Sequence, residues 1–471
     1  MKRVIFILTL WLAATSLAKS QKAWSLQDCV NHALENNIQV KQFLLSVNLA
    51  ETDLQQSKLS TLPSLNTMVS HGWNWGQAID RFTNQFATER VRSNNFYGQS
   101  ALTLFNGFQK LNTIIQNRYN LMASQYDADQ YMDDITLSIA TGYLQILYAK
   151  ELLGIARNQL NITQQQVDRM QKLVAAGTLA RGDLLLIEAQ MATEELRYVE
   201  ARNNLDIAYL TLRQMLDLPP GEPFEIQQPE LEFYESPTMF MSPDQIYNFA
   251  KNHNPAIRSA DFRIESAVKG LAIARGSQSP QLQMTATWGT GFSGAQKIGV
   301  DPFTQEIQIG YDSDMRPVYT LRPMFGSFEV KPFADQFSDN NNRTIDFRLT
   351  VPIFNGWFTR STIDRAKIAV TNAELESQSV QLQFNKTIQQ AWADASASLK
   401  RHNASVKMVE ATKESFQYAE QKFNVGILNS FDYSNAKNDL QRAQSELLQA
   451  KFDYLFKTKV LDFYMGTPIT L

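Results

Sequence analysis

Ile353-Phe354-Asn355-Gly356-Trp357 closes a run that alternates like a β-strand and opens one that reads as helix from Trp357 to Val425 without a proline. At 1.5 Å per residue, such a helix would measure about 100 Å if unbroken. The stretch has an echo. Leu104-Phe105-Asn106-Gly107-Phe108 lies 249 positions earlier and again separates strand-like from helix-like sequence. The same offset links Gly177-Thr178-Leu179 and Asp183 to Gly426-Ile427-Leu428 and Asp432, and Leu218-Pro219 to Thr467-Pro468.

Upstream of the strands the offset becomes 217: Trp24-Ser25 matches Met241-Ser242, Asn37 matches Asn254, and Leu62-Pro63 matches Ser279-Pro280. The difference of 32 residues is an insertion between the second copy's strands. An internally duplicated, mainly α, mixed α+β chain follows. Its first copy spans 21–218, with a helix, strands at about 64–75 and 95–105, a long helix 108–176 and a return helix 179–216. A proline-rich connector covers 219–242. The second copy, 243–471, has a helix, strands at about 281–289 and 343–354, a long helix 357–425 and a return helix 430–464. The run 25–62 reads as one helix ended by Pro63, and 290–342, rich in Gly, Asp, Pro and Asn, reads as a long loop.

The strands decide the environment. Leu65, Thr67, Val69, His71, Trp73 and Trp75 alternate with polar residues, as do Leu282, Met284, Ala286 and Trp288, and as do Ile345, Phe347, Leu349, Val351 and Ile353. Leu102 and Leu104 disturb the alternation of the second strand. About ten residues with one apolar and one polar face match a tilted transmembrane β-strand, with Ile345, Phe347, Leu349 and Val351 toward lipid. A half-buried soluble sheet has the same pattern. In a membrane, four strands cannot stand alone, because open edges leave backbone donors and acceptors unpaired in hydrocarbon. Chains must therefore pool strands: two give eight, three give twelve, and only the larger ring leaves a useful lumen.

The return segments carry coiled-coil seams. Leu184, Ile187, Met191, Tyr198, Ala201 and Leu205 form one, with Glu194 the exception, and Tyr433, Ala436, Leu440, Ala443 and Leu447 form the other, with Lys457 the exception further along.

Other features narrow the function. Lys2-Arg3, an apolar run Val4–Leu12 and small residues to Ser20 read as a signal peptide, 1–20, for export. Net charge is −3 and the basic residues are not clustered, which argues against nucleic acid. Cys29 is the single cysteine, so no intrachain disulfide exists, and it reads as a small apolar helix residue. His32, His71, His253 and His402 have no metal-ligand spacing, so neither metal nor cofactor is expected. Gly289-Thr290-Gly291-Phe292-Ser293-Gly294 matches a dinucleotide-binding pattern, but no helix or βαβ unit follows it. No constellation nominates an enzyme; a conduit or a scaffold remains.

The duplicated plan, two strands per copy, Phe-Asn-Gly at the strand-to-helix step and the turns Ala176-Gly177-Thr178-Leu179 and Val425-Gly426-Ile427-Leu428 together resemble the TolC-like outer membrane efflux protein family, or outer membrane factors. The resemblance implies a homotrimer in the outer membrane of a Gram-negative bacterium, its twelve-stranded barrel continuous with a periplasmic α-helical coiled-coil barrel. It implies a passive exit duct for drugs, toxic small molecules or secreted polypeptides, joined to a periplasmic adaptor (membrane fusion protein) and an inner-membrane transporter. The family's gate carboxylates fall on Asp183 and Asp432, and a further family aspartate falls on Asn435, which implies a weaker second ring. Asp183 and Asp432 also stand where caps of the return helices would stand, and the sequence leaves both roles open. Gly177, Thr178, Leu179, Arg181, Gly426, Ile427 and Leu428 become adaptor-contact tips, the glycines serving turn geometry as well. The alternative is an exported periplasmic coiled-coil scaffold with soluble sheets.

Overall fold

The computed structural model describes residues 23–469 except 88, 89, 222, 230–232 and 234. The signal peptide expected at 1–20 lies outside the described residues, as does part of the connector. Two compact units divide the chain: Thr52–Arg118 with Ser266–Val370, and Met1–Glu51 with Tyr119–Glu265 and Thr371–Leu471.

Within the first of these units, β1 (Ser64–Asn74), β4 (Val91–Phe105), β5 (Gln281–Ser293) and β8 (Asn342–Thr350) form an antiparallel sheet in the order β1-β4-β5-β8. Short strands β2 (Ala78–Ile79) and β3 (Phe86–Ala87) pair in the connection between β1 and β4. The ladder pairs Thr67 with Gly98, Gly98 with Trp288, and Ala286 with Ile345. The register of β4 against β5 shifts between Thr103 and Phe105. That bulge leaves Leu104 as the extra residue and puts Phe105 opposite Leu282 on the apolar face, whereas Leu102 lies before it in regular register opposite Met284.

The 290–342 segment is not a loop. It holds β6 (Lys297–Tyr311) and β7 (Pro317–Val330), a separate two-stranded sheet, and helix α7 (Phe333–Asp339). Pro302 and Pro323 hide the strand pattern in sequence, and both are tolerated because a two-stranded ribbon consists only of edges.

In order, the remaining helices are α1 (Leu26–Asn36), α2 (Ile38–Leu59), α3 (Gln109–Ala175), α4 (Arg181–Met215), α5 (Pro243–Ala250), α6 (Pro255–Gly276), α8 (Phe358–Asn424) and α9 (Ser430–Tyr464). The long helices α3 and α8 both have 67 residues, and α4 and α9 both have 35. The run 25–62 is two helices rather than one. Asn37 leaves the helical region at ψ 129°, and its side chain accepts from the backbone of Gln39 and Val40, which starts α2. A polar side chain that caps the next helix offsets the interruption with new hydrogen bonds. Asn254 serves α6 likewise through Ile257. Ser25 and Ser242 build capping boxes with Asp28 and Gln245. The two serines and the two asparagines matched at the 217 offset thus do the same local work.

A core in the second unit joins α1 to α3 and α4 through Cys29, Ile139, Tyr143, Ile146 and Leu212. Cys29 is fully buried there, and burial, reinforced by Asp28, pushes its thiol up to about 12. The Tyr143 hydroxyl donates to the carbonyls of Trp24 and Gln227 at 3.1 and 2.8 Å.

Candidate functional site: sheet faces and hairpin tips

Tracing the ladder across the four-stranded sheet puts Leu65 and Val69, Phe96 and Leu102, Met284 and Trp288, and Ile345, Phe347 and Leu349 on one face. The opposite face carries Asn66 and Ser70, Gln99, Gln283 and Thr285, Thr344, Asp346 and Arg348. The apolar face is open along β1 and β8: Leu349 is 63% exposed, and Ile345, Phe347 and Val351 are also exposed. Val351 lies just past the end of β8. Phe354, Trp357 and Phe358 stand exposed at the strand-to-helix step, and Trp73 and Trp75 at the other end of the sheet. Aromatic side chains at both ends of an apolar band are the arrangement that a bilayer with two interfaces selects.

Both hairpin turns end their long helices the same way. Gly177 and Gly426 take φ +72° and +81°. Thr178 N donates to Leu173 O and Gly177 N to Val174 O; Ile427 N donates to Lys422 O and Gly426 N to Phe423 O. This is a Schellman closure, in which the left-handed residue lets two orphan carbonyls be satisfied. No atom lies within 4 Å of a Cβ built on either glycine, so backbone angle, not space, requires them. Leu179 and Leu428 are half-buried, with Leu179 against Val167, Met170 and Ile187, while Thr178, Arg181 and Ile427 are exposed.

Asp183 and Asp432 each stand at the third position of a return helix, and neither is the cap. Ala180 begins α4 with no side-chain cap, whereas Asn429 begins α9, its Oδ1 accepting from Asp432 N at 2.8 Å and its Nδ2 donating to Asp432 Oδ2 at 2.9 Å. A carboxylate in the first turn still favours the helix through its dipole. Asp183 is half-buried, and Asp432 and Asn435 are exposed.

A cavity of about 270 Å³ beside the turns is lined by Gln166, Arg169, Glu420, Phe423 and Tyr433, among others. Tyr433 stacks on Phe423 and accepts from Gln166, and burial pushes its hydroxyl up to about 12. Arg169 Nη1 donates to Asn424 Oδ1 at 2.8 Å.

A family model described as outer membrane efflux protein matches residues 29–217 and 246–467. The chain belongs to that family. Among relatives, outer membrane protein TolC of Escherichia coli is 21% identical over 99% of this chain and 87% of its own. The alkaline protease secretion protein AprF of Pseudomonas aeruginosa is 21% identical over 94% of this chain and 85% of its own. Among solved structures, VceC of Vibrio cholerae superposes with TM-score 0.74 at 14% identity, over 94% of this chain and 97% of that one. The open-state MtrE channel of Neisseria gonorrhoeae gives 0.71 at 17%, over 94% and 89%. This member of the efflux family is an outer membrane channel of the class that serves efflux and type I secretion, with a large periplasmic part. The soluble-scaffold alternative falls with that finding.

Sequence reading missed a buried polar layer above the turns. Lys437 Nζ donates to Thr163 Oγ1 at 2.6 Å; Gln441 Nε2 donates to Glu194 Oε2 at 3.1 Å; and Arg197 Nη1 donates to Gln441 Oε1 at 2.6 Å. Gln190 Nε2 bridges Glu194 and Asn438 at 2.6 and 2.9 Å. Burial lowers the Lys437 ammonium to about 8, partly opposed by Glu194. Glu194 as the exception in its heptad seam was the one legible trace.

Proposed function

We propose that three chains pool their four strands into a twelve-stranded barrel, and that the channel is a passive exit duct powered by an inner-membrane transporter through a periplasmic adaptor. The observation that carries the reading is the sheet: among the described residues its outer strands β1 and β8 each have one unpaired edge, and its apolar side chains gather on one face with polar ones on the other. Each unpaired backbone group costs several kcal/mol in hydrocarbon, so the edges must pair with other copies.

Helix faces support the same assembly. On α4, Leu185, Ala189, Ala192, Leu196, Val199 and Ile207 form a second apolar stripe, exposed in the single chain. On α8, Ala404, Ala411 and Tyr418 recur at sevens and are exposed too. Two open seams of coiled-coil spacing on one chain suit pairing between neighbours. In this assembly Asp183 and Asp432 ring the periplasmic entrance, Asn435 contributes a weaker ring, and the turns at Gly177, Thr178, Leu179, Arg181, Gly426, Ile427 and Leu428 meet the adaptor. Repeated carboxylates around a narrow pore favour cations.

Planar-bilayer recording tests the proposal. The purified protein is expected to conduct with cation preference, and Asp183→Ala with Asp432→Ala to reduce that preference. A protein that inserts but conducts anions equally well with or without the aspartates would remove the gate from the account.

A further inference from the structure

The β6–β7 hairpin is the inserted segment that the channel reading does not use. All fourteen residues of β7 are exposed, as are Phe303, Ile309, Tyr311 and Met315 across or beyond the ladder. An isolated two-stranded ribbon is marginal in water, and an apolar one on this scale needs a cover.

Its root is fixed, so the hairpin is an arm rather than a loose loop. Gln336, buried in α7, donates to the carbonyls of Ser293 and Lys331 at 3.0 and 2.8 Å and accepts from Ser293 N at 2.8 Å. Lys331 N donates to Gln296 O at 2.9 Å and closes the base of the ribbon. The root follows β5 at the sheet end opposite Gln281 and Thr350, where the chain turns to helix; with the turns at the periplasmic entrance, as proposed above, that end is the extracellular one.

Two classes of cover differ in what they demand of the faces. Lipid would require one clean apolar face, yet both are mixed. Between Phe303 and Gln308 the register is regular, with Gln305 opposite Arg322 and Glu306 opposite Leu321. Phe303, Ile307, Arg322 and Met324 therefore share one face, and Glu306, Tyr319 and Leu321 share the other. The cation and the carboxylate stand one ladder step apart on opposite faces. A ribbon with opposite charges at nearly the same height on its two faces, each among mixed apolar and uncharged polar side chains, is complementary to a copy of itself packed front to back. Such a heterologous contact closes when the copies are related by a rotation axis.

Resting on the trimeric reading, we infer that the three hairpins pack front to back in a ring outside the membrane, Arg322 of each against Glu306 of the next. Distances allow it. Twelve strands about 4.8 Å apart and tilted about 40° give a ring of about 12 Å radius, whose third-points are about 20 Å apart. A fourteen-residue strand reaches about 45 Å, so each arm is longer than the gap to its neighbour.

The experiment uses Gln305→Cys with Leu321→Cys in the full chain. These side chains point away from each other within one hairpin and cannot bridge there, and the native Cys29 is buried. Mild oxidation of detergent-extracted protein is expected to give covalent trimers on a denaturing gel, reversed by reductant. Glu306→Arg added to this background should cut the cross-linked fraction several-fold, and Arg322→Glu added to both should restore it. Trimers intact by native mass spectrometry, with thiols that label fully but do not cross-link, would overturn the inference and leave the arm to an outside ligand. Absence of trimers in mild detergent would overturn the trimeric reading as well.

Discussion

Leu349 in the sheet is 63% exposed and Lys437 in the helices is 4% exposed, the reverse of the order expected of a water-soluble protein. Each inversion has its own cause. In the sheet every apolar face points the same way and the polar face is opposite, which is stable where lipid replaces water. In the helices a buried ammonium and carboxylate are held by Thr163, Gln441 and Gln190, and the layer costs stability relative to an apolar seam. In the proposed barrel the first region meets a different solvent; the second keeps charges where packing alone would have served better.

The largest effect should come from making the sheet conventional. Leu349→Asp with Ile345→Asp puts two charges toward lipid, each costing on the order of 1–3 kcal/mol near the bilayer midplane. Outer-membrane fractionation should show assembly lost, and normal assembly would mean that this face does not meet lipid.

The helical inversion predicts a pH signature. Lys437 falls from its ordinary 10.5 to about 8 on folding. The unfolded chain then holds more protons between those values, so stability rises with pH from about 8 to about 10.5 and is reduced below 8, by about 3 kcal/mol in full. Melting temperature in detergent should climb over that window, and Lys437→Met should flatten the climb. An unchanged slope in the variant would show that the lysine is not the source.

Smaller effects sharpen the contrast between the two turns. Gly426→Ala forces a side chain into φ +81° and should cost about 1–2 kcal/mol. Asn429→Ala should cost about 1 kcal/mol by removing the α9 cap, while Ala180→Asn at the uncapped α4 start should gain a similar amount. Equal losses at Asn429 and Ala180 on substitution would contradict the asymmetry read from the caps.

Long-range periodicity was legible and local interruption was not. Trp357 to Val425 has no proline or glycine to stop it, and α8 runs Phe358–Asn424. Residues 25–62 look equally continuous, but Asn37 breaks them by a side-chain hydrogen bond that composition does not announce. The bulge at Leu104 blurred β4, and Pro302, Pro323, Gly299 and Gly326 concealed β6 and β7. At the tips, glycine and aspartate positions could be read from the 249 offset, but the cap at Asn429 has no counterpart at Ala180. Lys437 stood off the heptad seam, so its burial depends on how α9 meets α3 and α4, which no single helix pattern contains.

Native mass spectrometry of the protein extracted from isolated outer membranes in mild detergent tests the central claim most directly. Three chains per particle is the predicted result, since three is the number that closes four-stranded sheets around a useful lumen. A monomer with its β1 and β8 edges unpaired, recovered from the same membranes, would contradict it.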